Sequence, residues 1–505
     1  MSEIASVYTK VERFRIEAQC ASPLHVGSFN GDRESVLVHP DRMVPFIQAS
    51  SLCGVMRAYY EEMHTQSEAD ALFGSKNAEL GSRIKFTDGF FQPETLRMEI
   101  RPRVAINDDT GTVDDSSVQG TSLRSGNKFE LECIGAGSVF SFEITILSDT
   151  TYKEEILACL GAMDQDDIQF GGQKSNGFGF VHVVGPVKYI AYDMKNSEDL
   201  EAWLTDAAAA SVDWRNAEGY ITNKEINSAF DEGRGDNLKP QKPENGWMAY
   251  EIVIKGETDG ELLIKDIAPE GVGEAMADAV NIRDAKGNYI IPGSSFKGVL
   301  RNRMEQIASY MDLDESVIRD AFGAASETGT GGCIGNLRVM DTVIQKKNDV
   351  DLLRTRIHID KFTGGVMNQM LFRERNAAGK LEMHLKITED RLRDHMPGKG
   401  ETAGRVSQDG HNADCTMGLL IFALRDLACE AYQIGSGYSI GKGYIKVESI
   451  EVTAKDGRKL IITGPKALDH KKENRLSYNE ENETSEKGIF DVCMNSLEKR
   501  KKKTA

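Results

Sequence analysis

GGQKSNGFGF at residues 171–180 is answered by GSGYSIGKGY at residues 435–444. Gly171, Ser175, Gly177, Gly179 and Phe180 stand at the offsets of Gly435, Ser439, Gly441, Gly443 and Tyr444. Four more pairs of blocks precede these loops in the same order. QASSLCGVMR (48–57) pairs with PGSSFKGVLR (292–301), ALFG (71–74) with DAFG (320–323), RIKFTD (83–88) with NLRVMD (336–341), and RPRVAIN (101–107) with RTRIHID (354–360). Chance supplies one such match, not five in register, so the chain contains a duplicated domain. The period is too long and the copies too few for a solenoid.

Each copy opens on a strand. Phe14, Ile16, Ala18 and Cys20 alternate along the chain, as do Tyr250, Ile252 and Ile254. Paired serines, Ser50-Ser51 and Ser294-Ser295, then read as N-caps of helices. Leu52, Val55, Met56, Tyr59 and Met63 give the first helix an apolar face, and Phe296, Val299, Leu300, Met304 and Ile307 the second. Gly54 and Gly298 inside them each cost roughly 1 kcal/mol against alanine, which points to close approach of another backbone. Further strands and a second helix follow in each copy, so the expected fold is α+β with two tandem ferredoxin-like domains.

The chain of 505 residues has room for two or three domains. Its eight cysteines form no CxxC pair, so neither structural zinc nor a disulfide framework is expected. No apolar run is long enough to span a membrane, and the first residues lack the apolar core of a signal peptide. The expected location is the cytoplasm, with no membrane partner. A net charge of −18 argues against a broadly basic nucleic-acid binder, so an RNA surface must be a local cationic groove. Residues 191–246 carry 12 acidic and 6 basic residues and a Gly/Pro-rich end. The resulting division is a first domain over 1–190, an acidic linker over 191–246, a second domain over 247–455 and a charged, flexible tail over 456–505.

The glycine loops do not hold a nucleotide. Lys442 is followed by Gly443 where a phosphate loop needs Ser or Thr, and the GxGxxG spacing fails too, so no nucleotide cofactor is expected. Two readings remain: a tight turn that demands glycine before a strand, or a cradle in which backbone amides with Lys174, Ser175, Ser439 and Lys442 meet the phosphates of an extended polynucleotide. The serine-bearing helix starts divide similarly, between ordinary capping and an anion site reinforced by Lys297 and Arg301.

IIPGSSFKGVLR (290–301), RIHIDKFTGGVMNQMLF (356–372) and the closing GxGxSxGxG pattern of 435–443 resemble the signature of the RAMP superfamily. They are most similar to the backbone subunit of type III CRISPR effector complexes, and the tandem arrangement resembles the fused double subunits of III-D-like complexes. The resemblance covers about 10–185 and 247–450. It implies RRM-like domains, each with a thumb-like hairpin insertion, holding guide CRISPR RNA and complementary target RNA beside other subunits of the complex. It further implies an endoribonuclease that cuts target RNA where the thumbs interrupt the duplex, with a required aspartate and a divalent cation, Mg2+ by preference; the metal's ligands are unknown.

LHVGSFNGDRESVLV (24–38) resembles the segment carrying that aspartate, which points to Asp32, with Asp278 in the second copy. RNA contacts carried over to this chain are Ser50, Ser51, Arg57, Arg101, Arg103, Ser294, Ser295, Arg354, Arg356, His358 and Lys361, with the loop and helix residues already named. Val366, Met367, Met370, Leu371 and Phe372 are the expected thumb wedge. The first copy departs from the pattern: Gln48-Ala49 replaces Pro292-Gly293, Cys53 replaces Lys297, and NDDTGTVDDSSVQG (107–120) is acidic. A scaffold without cleavage is the alternative. A guide-processing nuclease using histidine is another, but His25 has no counterpart in the second copy.

Overall fold

The computed structural model describes residues 8–502, except 28–34, 76–79, 105–127, 209–213, 215–218, 234–247, 267–276, 325–332, 347–351, 390–411, 465–476 and 482–487. It divides into two compact units. Unit 1 comprises Met1–Ile100, Leu131–Lys174 and Phe178–Gly246; unit 2 comprises Arg101–Glu130, Ser175–Gly177 and Trp247–Ala505.

In unit 1 the strand Lys10–Cys20 is central. Phe14, Ile16 and Ala18 point into the core while their neighbours face outward, the period-2 alternation of a half-buried strand. It runs antiparallel to Val139–Ser148 on one side and to Val181–Val183 and Val187–Asp193 on the other. Val139–Ser148 pairs in turn with Ile84–Phe86 and Gly89–Phe91. Helices Ala49–Met63 and Lys153–Asp164 join the same core through Leu52, Met56, Ile156 and Leu160. Across the sheet the strands therefore stand fourth, first, third, second, the ferredoxin-like order. Unit 2 repeats it with Tyr444–Ala454, Met248–Asp259, Gly379–Thr388 and Leu337–Val339. Its helices Gly293–Tyr310 and Asn412–Ala428 bury Phe296, Leu300, Met304, Leu420 and Leu424.

Among the described residues, parts of both charged segments are folded, where the sequence reading expected a linker and a flexible tail. In the acidic stretch, helices Ser197–Ala208 and Asn223–Gly233 flank strand Gly219–Ile221, which extends the unit 1 sheet beyond Val187–Asp193. Ile226 and Ala229 enter the main core, and Thr222 with Glu225 closes a capping box. Among the described residues, Asp193, Glu198, Glu201 and Glu225 are exposed on these elements. The supposed tail adds strands Lys459–Thr463 and Ser477–Glu481 to the unit 2 sheet. Its helix Ile489–Glu498 sinks Ile489, Cys493 and Leu497 into the core. Even the lysine-rich end is tied down: Arg500 O accepts from Asp314 N, and Lys502 N donates to Asp312 O.

The helix starts also differ from expectation. The N-cap residues are Gln48 and Pro292, and the serines lie inside the first turn. Each first amide instead donates to a carboxylate just past the end of a later strand: Ala49 N to Asp88 Oδ1 and Gly293 N to Asp341 Oδ1, both at 2.8 Å. These are the aspartates ending RIKFTD and NLRVMD. A Cβ added at Gly54 or Gly298 meets nothing within 4 Å among the described residues, so no neighbouring backbone explains either glycine.

Candidate nucleic-acid interface

The site grows from a hairpin inserted between Leu337–Val339 and Gly379–Thr388. Its strands are Leu353–Ile359 and Val366–Arg375, paired antiparallel with a register shift between Ile357 and Ile359. The turn is set by chemistry at Asp360. Its carboxylate accepts from Phe362 N, Thr363 N and Thr363 Oγ1, which together hold its pKa below the usual carboxylate value. Gly364 takes φ +65°, where a side chain would be strained.

The hairpin presents apolar side chains to solvent. Phe362 is 86% exposed, and Ile359, Val366, Leu371 and Phe372 are each about half exposed. Of the expected wedge, Val366, Met367, Leu371 and Phe372 are therefore on the open hairpin; the Met370 side chain lies outside the described residues. His358 and Lys361 are exposed beside them. Apolar and aromatic surface interleaved with cations is the composition that stacks on unpaired bases.

Asp278 stands at the hairpin's root. Its amide donates to Arg373 O at 2.7 Å, and its Oδ2 accepts from Arg373 N at 2.6 Å. The residue is exposed, and Ala279–Val280 just after it runs parallel to the hairpin strand. Asp32 lies outside the described residues. The first hairpin joins Met98–Val104 to Lys128–Ile134, and its tip, 105–127, also lies outside them.

Several expected RNA contacts are turned to other work. Arg101 is 4% exposed and pairs with Asp341 Oδ2 at 2.9 Å; Arg103 is half-buried. Arg57 donates to Asp70 Oδ1, Glu61 Oε1 and the Gly74 carbonyl oxygen, and Arg301 to Glu305. Lys297 is buried, and its ammonium donates to the carbonyl oxygens of Ser175 (3.0 Å) and Leu337 (2.9 Å). Lys442 is buried between carboxylates. Ser50, Ser51, Ser294 and Ser295 start helices whose first amide already faces an aspartate, which repels an incoming phosphate.

Burial lowers the Lys297 pKa to about 7, with Arg338 and Arg301 adding repulsion. Unfolded, the group keeps the ordinary lysine value near 10.4. Below about pH 7 both states carry the proton and the fold bears a buried charge; above it the fold sheds the proton first. Stability relative to Lys297→Met is therefore expected to rise as pH climbs from about 7 toward 10. Urea midpoints of both proteins at pH 6, 8 and 9.5 check this; parallel midpoints would contradict it.

The two glycine loops share one backbone. Each contains a single 3₁₀ turn, Lys174–Asn176 and Tyr438–Ile440. Gly171, Gly177 and Gly179 take positive φ, as do Gly435, Gly441 and Gly443. A Cβ at Gly179 would stand 2.1 Å from Phe170 O, and one at Gly443 2.2 Å from Ile434 O. Loop amides are used internally: Gly172 N donates to His25 O, Ser436 N to Leu263 O, and Gly443 N to Glu261 O. The glycines thus answer a packing demand of the turn. Lys174 is half-buried and Ser439 exposed at the loop tips. His25 lies under the first loop with Nδ1 bonded to Glu132 O at 2.8 Å, a poor place for an acid–base catalyst.

Among the described residues no three His, Cys, Asp or Glu side chains converge to hold a metal ion. Mg2+ is commonly held by one or two carboxylates with substrate phosphates, and the second oxygen of Asp278 has the chemistry for such a set. Among the described residues no helix is long and apolar enough to cross a membrane.

A family model described as the RAMP superfamily matches residues 17–182 and 267–446. No curated protein matches the sequence. One solved structure similar to the chain is described as a type III-B Cmr-beta complex bound to cognate target RNA. The identity is 16% and the TM-score 0.30, over 36% of this chain and 61% of that one.

Proposed function

The chain belongs to the RAMP superfamily, and from that premise we propose that it is a double backbone subunit of a III-D-like type III CRISPR effector. It holds guide RNA along its two copies, admits complementary target RNA, and takes part in cutting that target in the cytoplasm, beside other subunits. The observation that carries this reading is the second hairpin, an exposed apolar and cationic arm rooted at Asp278.

The chemistry follows from RNA itself. A 2′-hydroxyl attacks its neighbouring phosphate only in line, a geometry that a stacked helix withholds. Phe362, Leu371 and Phe372 would displace a nucleotide and free its backbone to turn. Asp278 Oδ2 is held by Arg373 N, which fixes the carboxylate and leaves its second oxygen to orient the hydroxyl. A divalent cation bound there with the RNA would supply charge neutralisation at the phosphate. Arg354, Arg356, His358 and Lys361 would meet phosphates, and base pairing would read the sequence.

The test is binding of labelled single-stranded RNA at 50 to 300 mM salt. Replacing Arg354 and Arg356 together with alanine is expected to weaken binding about tenfold for all sequences and to flatten the salt dependence. Unchanged affinity and slope would remove the hairpin from the RNA path.

A further inference from the structure

At the base of the second hairpin lies a charged network that the first copy lacks. Lys442, 7% exposed, donates to Glu374 Oε2 at 3.0 Å and Asn376 Oδ1 at 2.8 Å, and lies 3.7 Å from Glu261 Oε2. Asn376 in turn donates to Glu261 Oε2 at 2.6 Å. On the hairpin side, Arg356 pairs with Glu374 and Arg354 with Glu261. Glu374 and Asn376 are themselves buried.

Backbone hydrogen bonds fix the equivalent positions in unit 1. Leu24 and Ile134 exchange both amide bonds, as Leu262 and Ala377 do. Phe170 N donates to Gly179 O, as Ile434 N does to Gly443 O; Gly179 N donates to Pro23 O, as Gly443 N does to Glu261 O. Lys442 therefore corresponds to Phe178, Glu374 to Leu131, Asn376 to Cys133 and Glu261 to Pro23. Phe178, Leu131 and Cys133 form their own small apolar cluster. The same fold thus closes this position without charge, and a buried ionic cluster is seldom more stabilising than an apolar one of similar volume. The fold can therefore close this position without a charged network.

We propose that Lys442 is a positioning residue for RNA binding: it neutralises Glu374 and Glu261 so that Arg354 and Arg356 retain charge to give to phosphate. The inference rests on the RNA-binding reading above. The network holds three cations against two carboxylates, a surplus of one. A carboxylate and a phosphate compete for the same guanidinium fork. With Lys442 beneath, each carboxylate keeps a partner when its arginine turns to RNA. Without it, releasing Arg356 strands the buried Glu374 carboxylate, so that arginine stays where it is.

Three proteins are compared for affinity and salt slope on one labelled single-stranded RNA, with urea midpoints measured alongside. Lys442→Met is expected to bind about tenfold more weakly, with a log–log slope shallower by about 0.7, the loss of one phosphate contact. Lys442→Met combined with Glu374→Leu restores the surplus of one cation and is expected to return to within about threefold of the parent. A merely structural lysine would move the urea midpoint and leave the slope alone. Lys442→Met binding with the parental slope overturns the proposal, as does a double variant that keeps a parental midpoint without recovering affinity. A parent chain that binds no RNA is a different failure, and overturns the RNA-binding reading itself.

Discussion

In an assembled complex, Asp278→Ala is expected to suppress one of two cuts in a complementary RNA by at least 100-fold, with guide binding within about twofold of the parent. Loss of a group that positions or moves a proton costs rates of this order. Asp278 also accepts the Arg373 amide, so alanine removes a hairpin anchor along with the charge. Asp278→Asn separates the two. Its amide oxygen still accepts from Arg373 N, but the charge is gone. If seating the hairpin were the only role, asparagine would restore the cut; if the carboxylate serves the reaction, it would not. Asp32→Ala is expected to remove the other cut, and chelation of divalent ions to stop both. An end-labelled target resolved on a gel reads all of these. A double variant that still cuts at both places would make the chain a scaffold and place the nuclease in another subunit.

Removing residues 488–505 is expected to abolish cooperative unfolding of unit 2, and Leu497→Ala alone to cost about 3 kcal/mol. Ile489, Cys493 and Leu497 are essentially unexposed, and Leu497 sits where a Cβ on Gly418 would meet it at 2.8 Å. Truncation would bare the helix Asn412–Ala428 where Ala413–Leu427 packs on the core. It would also remove Arg500, which approaches the buried Asp320 at 3.9 Å. Urea unfolding followed by fluorescence and circular dichroism checks this. A truncated chain with the parental midpoint would show that the terminal helix is dispensable.

The terminal helix also shows where sequence reading fails. Its core residues stand at i, i+4 and i+8, a visible helical stripe, but the flanking SEKG and EKRKKK give the segment the composition of a solvated tail. The acidic stretch misleads in the same way, because Ile226 and Ala229 sit one turn apart among acids and amides. Composition averages over faces, whereas burial is decided face by face. The duplication and the sheet order were legible because repeated motifs mark equivalent strands and helices without any energy estimate.

The site was legible unevenly. The hairpin's apolar residues were visible as a cluster beside TGG, and Val366, Met367, Leu371 and Phe372 are exposed. The cations were harder. A lysine in a sequence reads as available charge, but Lys442 meets Glu374 and Glu261 only through the fold, across 68 residues in the nearer case. Lys297 donates to backbone oxygens, which no composition reveals. The aspartates at the helix starts, Asp88 and Asp341, were missed, although both end blocks that the duplication had matched.

The central claim is that this chain carries guide RNA. Its most direct test is the nucleic acid recovered when the chain is purified from cells that also express a CRISPR array. The account predicts a 260-to-280 nm absorbance ratio above that of protein alone and, on a denaturing gel, RNA of discrete length that ribonuclease removes. A preparation free of nucleic acid, or one carrying only heterogeneous RNA or DNA, would contradict it.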